Sequence, residues 1–290
     1  MSQSTILKTS QLSKYFPGVV ANENVDFLLN KGEVHCLFGE NGAGKSTLCS
    51  CLFGYHKPDS GRIELDGKLV KFRSPGDAIK CGIGMVHQHF VLVDDFTVLE
   101  NIIVGTNSEK WTLDLEKSEN ELRLICLEYE IDLKFNSLVR DLSVGEQQWV
   151  EILKSLYLDA EILILDEPTA VLTPEESKKL FNIIGKMSKN GISIILISHK
   201  ISEVMQADRV SVMSKGKLIN TVYPKDTTPQ ELTNMMVGRE VTLRVKENKD
   251  VKTATSSKPL LSVKKLNYLN KYKKFALNNV DLELHSGEIL

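Results

Sequence analysis

The segment Gly39-Glu40-Asn41-Gly42-Ala43-Gly44-Lys45-Ser46-Thr47 constrains this chain more than any other. It fits the spacing G-x-x-x-x-G-K-[ST], in which glycines let backbone N–H groups turn inward around a phosphate. Such a loop works between a buried strand and a helix whose N-terminus adds its positive field. Both flanks fit: Glu33–Phe38 is a short, mostly apolar run ending at Gly39, and Ser46–Phe53 has helical character. The expected fold class is therefore α/β, with a nucleotide phosphate held by residues 39–47. Lys45 is placed to reach the β- and γ-phosphates, and the Ser46 hydroxyl to ligate Mg²⁺.

Further residues fall where phosphate chemistry would use them. Ile162-Leu163-Ile164-Leu165-Asp166-Glu167 sets two carboxylates at the end of an apolar strand. Asp166 is positioned for the Mg²⁺ shell and Glu167 to polarise an attacking water. His199 follows the run Ile192–Ser198, a strand expected to lie beside that of Asp166. Gln88, in Val86-His87-Gln88-His89-Phe90, sits at another strand end, where its amide could bind Mg²⁺ or water. Leu142-Ser143-Val144-Gly145-Glu146-Gln147-Gln148 opens an amphipathic helix. Alone this is an N-cap, but Ser143 and Gly145 could also present hydroxyl and N–H groups to an anion.

Composition narrows the setting. The 290 residues are 42% hydrophobic, with 36 basic against 38 acidic side chains and a net charge of -2. That is a globular composition, and the balance argues against a protein whose task is coating nucleic acid. No run reaches the ~18 apolar residues of a membrane-spanning helix, and the N-terminus lacks a signal pattern, so a cytoplasmic protein is expected. Cys36, Cys49, Cys51, Cys81 and Cys126 form no C-x-x-C pair and read as small apolar packers.

The chain also repeats itself. Val25–Val34 matches Val280–Ile289 at an offset of 255, and Ala21 and Asn24 map onto Ala276 and Asn279. Between the copies, residues 243–258 are charged and Ser/Thr-rich, like a linker. The expected organisation is a domain over 5–240, a linker over 241–258, and the truncated start of a second domain over 259–290. At the same offset a second glycine loop would begin four residues after Leu290. The expectation is a fragment of a chain about 500 residues long, or a disrupted reading frame.

Taken together and in this order, the motifs resemble those of the nucleotide-binding domain of ABC transporters. Gly39–Thr47 matches the Walker A loop, Gln88 the Q-loop, Leu142–Gln148 the signature motif, Ile162–Glu167 the Walker B strand and His199 the switch histidine. Phe16 matches the aromatic that stacks on adenine. The resemblance implies a P-loop NTPase of the ABC ATPase type, a mixed central sheet with a β-rich and a helical subdomain. It implies ATP and Mg²⁺ as ligands, with Glu167 and His199 on the hydrolysis side. Two such domains would pair head to tail, the Ser143–Gly145 region of one covering the ATP of the other. Separate integral membrane permease subunits and a solute-binding protein are the implied partners, with no nucleic acid, and the chain would sit on the inner face of the cell membrane.

Met235-Met236-Val237-Gly238-Arg239-Glu240 looks like the end of the first domain in tandem ATPases of bacterial sugar and nucleoside importers. Met85–Phe90, Phe96–Ile102 and Asp166–Pro174 look more like the nucleoside branch. The alternatives are a sugar importer ATPase, a non-transport ABC protein acting on ribosomes or DNA, and an inactive binding module. The sequence departs from the family pattern at four places: Val144 replaces the second signature glycine, Glu146 the usual Gln, Trp149 the common Arg, and Thr173 the Asp after Walker B.

Overall fold

The computed structural model describes residues 4–88, 90–104, 114–237, 258–269 and 275–288. They cluster in two compact units, divided between Val241 and Thr242. His89, Gly238-Arg239-Glu240, Ile289 and all of the expected linker except Lys258 lie outside the described residues.

In the first unit, β1 (Thr5–Phe16), β2 (Val19–Val25), β3 (Leu28–Asn30), β5 (Ser60–Leu65) and β6 (Lys68–Val70) form an antiparallel sheet in the order β2-β1-β5-β6, with β3 also pairing β1. The β5–β6 turn is Asp66-Gly67, a dipeptide that by itself signals a two-residue hairpin, and both residues are at positive φ (46° and 74°), which the right-handed twist of a hairpin favours. The larger sheet joins β4 (Val34–Phe38), β7 (Ile83–Val86), β8 (Ile162–Asp166), β9 (Ser193–Ser198), β10 (Arg209–Ser214) and β11 (Lys217–Val222) in the order β11-β10-β4-β9-β8-β7. Only β11 is antiparallel to its neighbour, so the sheet is mixed, as expected.

The apolar runs of β4, β8 and β9 follow from burial on both faces. Leu163, Leu165, Ile194 and Leu196 enter one core, while Ile162, Ile164, Ile195 and Ile197 enter another. The first core is roofed by α3 (Val98–Ile103), α4 (Leu115–Tyr129), α5 (Val144–Tyr157) and α6 (Pro174–Lys189). The second takes α1 (Lys45–Leu52) and α2 (Pro75–Lys80) against the antiparallel sheet. The short α7 (Ile201–Val204) follows β9, and α8 (Pro229–Val237) is the closing helix. All five cysteines are free; Cys36, Cys49 and Cys51 are buried packers, but Cys81 is exposed because it caps the end of α2.

The second unit pairs β12 (Leu261–Leu269) with β13 (Phe275–Leu284). Its hairpin repeats a distortion of the β1–β2 pair. In the first copy Gln11 and Asn24 are left-handed, the Gln11 N–H donates to Asp26 Oδ1 (2.7 Å), and the Asn24 N–H donates to Ser13 Oγ (2.9 Å). In the second, Lys265 and Asn279 are left-handed, the Lys265 N–H donates to Asp281 Oδ1 (2.6 Å), and the Asn279 N–H donates to Asn267 Oδ1 (2.8 Å). A bulge with its own side-chain anchors thus recurs, at an offset of 255 for Asn24 and Asp26 and of 254 for Gln11 and Ser13.

Leu163 is fully buried in the middle of β8. Leu163→Ala is expected to cost about 3 kcal/mol of unfolding free energy, read as a lowered urea midpoint at an unchanged slope.

Candidate functional site

The loop 39–47 joins β4 to α1, so its N–H groups and the first turn of α1 open into one cleft. The cleft encloses about 380 Å³ and is lined by Phe16, Val19, residues 41–47, Gln88 and Glu167 among others. That is within the range for small-molecule sites. Two glycines are dictated by the backbone. Gly42 has φ 80° and nothing within 4 Å of where a Cβ would stand, leaving the cradle open. Gly44 has φ 100°, and a Cβ there would lie 2.3 Å from the Ala21 carbonyl. The loop is clamped from outside: the Asn22 amide donates to the Gly44 carbonyl (3.0 Å), and the Gly216 N–H donates to the Ala43 carbonyl (3.0 Å).

Lys45 is buried and donates to the carbonyls of Gly39 (2.8 Å) and Glu40 (2.9 Å). Burial lowers the basicity of its amine, against the pull of the Glu167 and Asp166 carboxylates. The parallel pairing of β8 with β9 and of β9 with β4 brings three strand ends together. Ser46 Oγ stands 3.3 Å from Asp166 Oδ1. Glu167, just past β8, adopts φ 48°, a left-handed conformation uncommon for a non-glycine residue. Its N–H donates to the Ile197 carbonyl (3.0 Å), and its carboxylate meets His199 Nδ1 at 2.9 Å and Gln88 Nε2 at 3.4 Å.

The donor set fits a nucleotide with Mg²⁺. The loop and Lys45 offer N–H and ammonium groups to phosphate, while Ser46, Asp166 and Gln88 offer hard oxygens. Among the described residues no group of three or more His, Cys, Asp or Glu side chains makes a metal cage. Mg²⁺ typically takes one or two carboxylates plus substrate phosphates rather than such a cage.

Phe16, residues 41–47, Gln88 and Glu167 line the cleft; Gly39 and Glu40 do not, and join it through their carbonyls on Lys45, while Asp166 and His199 join through Ser46 and Glu167. Ser143 and Gly145 do not line it. They begin α5, where Ser143 Oγ accepts from the Glu146 N–H and the Glu146 carboxylate accepts from the Ser143 N–H. Glu146 therefore completes a capping box. Thr173 does the same for α6 with Glu176, a role Asp would also fill. Trp149 is buried in the helical core with Lys179 Nζ 6.0 Å from its ring centroid. Val144 is exposed, and nothing in the structure explains it.

Sequence reasoning missed a buried network beneath the site. Glu203, on α7, accepts from Thr169 Oγ1 and from Ser198 Oγ (2.7 Å), and Lys200 Nζ donates to Thr169 Oγ1 (2.8 Å). It ties the turn after Glu167 to the residues flanking His199. No spacing rule identifies Glu203; its role follows from where β9 and α7 leave it.

Burial, its largest influence, raises the Asp166 carboxyl above the usual range, with the Glu167 charge adding and the Ser46 hydrogen bond and Lys45 opposing. A raised carboxyl means the charged form is disfavoured in the fold, so its cost is present above the folded pKa and relieved as pH falls through it. Asp166→Asn is therefore expected to stabilise the chain at pH 7, read as a raised urea midpoint. The gain should shrink toward acid pH in urea titrations.

The ABC transporter family model matches residues 22–170. The nucleoside import ATP-binding protein NupA of Lactococcus lactis subsp. cremoris is 44% identical, over 100% of this chain and 57% of that protein. The ribose import ATP-binding protein RbsA of Ruegeria sp. is 42% identical, over 100% of this chain and 56% of that protein. The chain thus spans little more than half the length of these relatives. The solved ADP conformation of MJ1267, an ATP-binding cassette of an ABC transporter, superposes with a TM-score of 0.71 at 26% identity, covering 81% of this chain and 99% of that one. With the P-loop fold and the ordered motifs, these matches place the chain in the ABC transporter family as an ATP-binding cassette.

Proposed function

We propose that the chain is the first half of a tandem ATPase that binds and hydrolyses ATP to energise solute import, nucleoside uptake first. The observation carrying hydrolysis is Glu167, held by His199 and Gln88 at the mouth of the phosphate-loop cleft. The nucleoside reading is supported by the stated function of NupA and by the branch resemblance of Met85–Phe90 and Phe96–Ile102. Ribose-type sugar import is the second reading, favoured by the 42% identity to RbsA.

In this mechanism Phe16 stacks on adenine, residues 39–44 and 47 wrap the phosphates, and Lys45 turns from the loop carbonyls toward the γ-phosphate. Ser46, Asp166 and Gln88 would hold Mg²⁺, which when bound would supply neutralisation of phosphate charge. Glu167 orients the water, and His199 faces the transferred phosphoryl group. The Ser143–Gly145 region of a second domain covers the nucleotide, and closure drives the permease.

Among the described residues no helix is long and apolar enough to cross a membrane, so separate permease subunits are proposed, with a solute-binding protein. The chain then attaches to the cytoplasmic face of the membrane. A groove of about 190 Å³ beside the Gln88 segment, lined by Tyr55, His87, Val91 and Glu151 among others, suits contact with the permease. The Val91 N–H donates to Glu151 on α5 (2.9 Å), joining that groove to the helical subdomain. The division into a cassette (5–240), a linker (241–258) and the start of a second cassette (259–290) belongs to the same reading.

Lys45→Ala is expected to weaken ATP binding by at least tenfold in calorimetry, given the strength of charge-assisted phosphate contacts; unchanged affinity would reject the phosphate-loop assignment. In the assembled transporter, Glu167→Gln should keep nucleotide binding and lower turnover by about a hundredfold or more. Uptake of labelled nucleoside against ribose by that transporter separates the two solute readings.

A further inference from the structure

Phe16 projects from the end of β1 into the cleft and is held from two sides by groups that no motif identifies. Lys14 Nζ lies 5.4 Å from the Phe16 ring centroid, and the His56 ring meets it edge-on, at 5.2 Å between centroids and 76° between planes. Both groups are anchored. Lys14 Nζ donates to the Lys57 carbonyl (3.0 Å) and to Asp59 Oδ1 (3.3 Å). Asp59 Oδ2 accepts from the Tyr15 N–H (2.7 Å), and the Asp59 N–H donates back to the Ser13 carbonyl (2.9 Å). The segment 57–59 is thereby zipped along Ser13, Lys14 and Tyr15, the three residues that lead into Phe16.

The residues just before that segment leave directly from the phosphate helix. The N–H groups of Tyr55 and His56 both donate to the Ser50 carbonyl in α1 (2.9 and 3.2 Å). A short, hydrogen-bonded path therefore runs from the helix whose N-terminus faces the phosphates to the ring that faces the base. A half-exposed phenylalanine at a strand end would otherwise sample several rotamers. An edge-on aromatic partner and a cation over the ring are both favourable contacts that restrict it. These contacts favour one placement of the ring, so less ordering is left for ligand binding to accomplish.

We propose that Lys14 and His56 are positioning residues that preset Phe16 as the base-stacking platform, so that affinity for the adenosine part of the nucleotide depends on them while affinity for its phosphates does not. This rests on the ATP-binding reading above and extends it to base recognition.

The test compares Mg-ATP with inorganic triphosphate, which has the phosphates but no base, by calorimetry on the intact chain. Phe16→Ala should weaken ATP about tenfold, the scale of one lost base–aromatic stack, and leave triphosphate binding unchanged. The double variant Lys14→Ala/His56→Ala should weaken ATP about fivefold, as two modest ring contacts would, again with triphosphate unchanged. His56→Phe, which keeps an aromatic edge, should restore most of the loss of His56→Ala. If Phe16→Ala weakens ATP and the double variant does not, the positioning role is overturned and the platform stands. Equal losses for ATP and triphosphate in the double variant also overturn it, since that pattern reports a damaged phosphate loop. If Phe16→Ala binds ATP as the wild type does, or the wild type binds no ATP, the underlying reading fails and this inference with it.

Discussion

Everything in the first unit depends on the parallel register of three central strands. Phe38 pairs with Ser198, and Ile197 with Asp166, so β4, β9 and β8 end side by side. The chain leaves β4 into the phosphate loop, β8 into Glu167 and β9 into His199. Three segments separated by more than a hundred residues in one case thus deliver an anion cradle, a carboxylate pair and an imidazole to one edge of the sheet. Register is strongly specified here because each strand is buried on both faces. A slip of one residue would exchange Leu163 and Leu165 with Ile162 and Ile164 between two different cores.

On that edge the side chains are oriented by local devices. Glu167 could run on as an extended strand residue, and its side chain would then follow the pleat. The left-handed turn at φ 48°, fixed by its N–H to the Ile197 carbonyl, redirects it toward His199 and Gln88. Such a conformation persists only when its surroundings impose it. The Glu203 network does so from below, by gripping Thr169 and Ser198 on either side of the pair. The phosphate loop has a comparable restraint in Asn22 and Gly216, which hold its carbonyls from the antiparallel sheet and from the β10–β11 turn. Unpaired, Lys45 would be a buried cation; the Gly39 and Glu40 carbonyls give its ammonium two acceptors.

What was legible in the sequence is what short-range pattern encodes. The glycine spacing located the loop, apolar runs located β4, β8 and β9, and Asp66-Gly67 located a hairpin with the right backbone signs. What was not legible depends on contacts distant in sequence. Nothing in the local sequence sets Glu203 or Asn22 apart; their roles come from Thr169 and Ser198 in one case and from the Gly44 carbonyl in the other. The departures at Glu146, Thr173 and Trp149 could not be weighed from sequence either. Two of them cap helices and the third fills a core, so three of the four unusual residues have local structural reasons. Cys81 went the other way, exposed at a helix end where its residue type favoured burial.

Ser143 and Gly145 stand apart from the other site residues. Both lie at the start of α5, outside the cleft that holds the phosphate loop. A helix start leaves several N–H groups without intrahelical partners, and a capping box satisfies only some of them. The remaining donors, together with the positive end of the helix, suit an anion, and they do not line the cleft of their own unit. The head-to-tail reading gives each of these half-sites its complement, since a second cassette would bring its own α5 over this cleft and its own cleft under this α5. The recurrence of the β1–β2 bulge in β12 and β13 is what the start of such a second cassette would look like in the backbone.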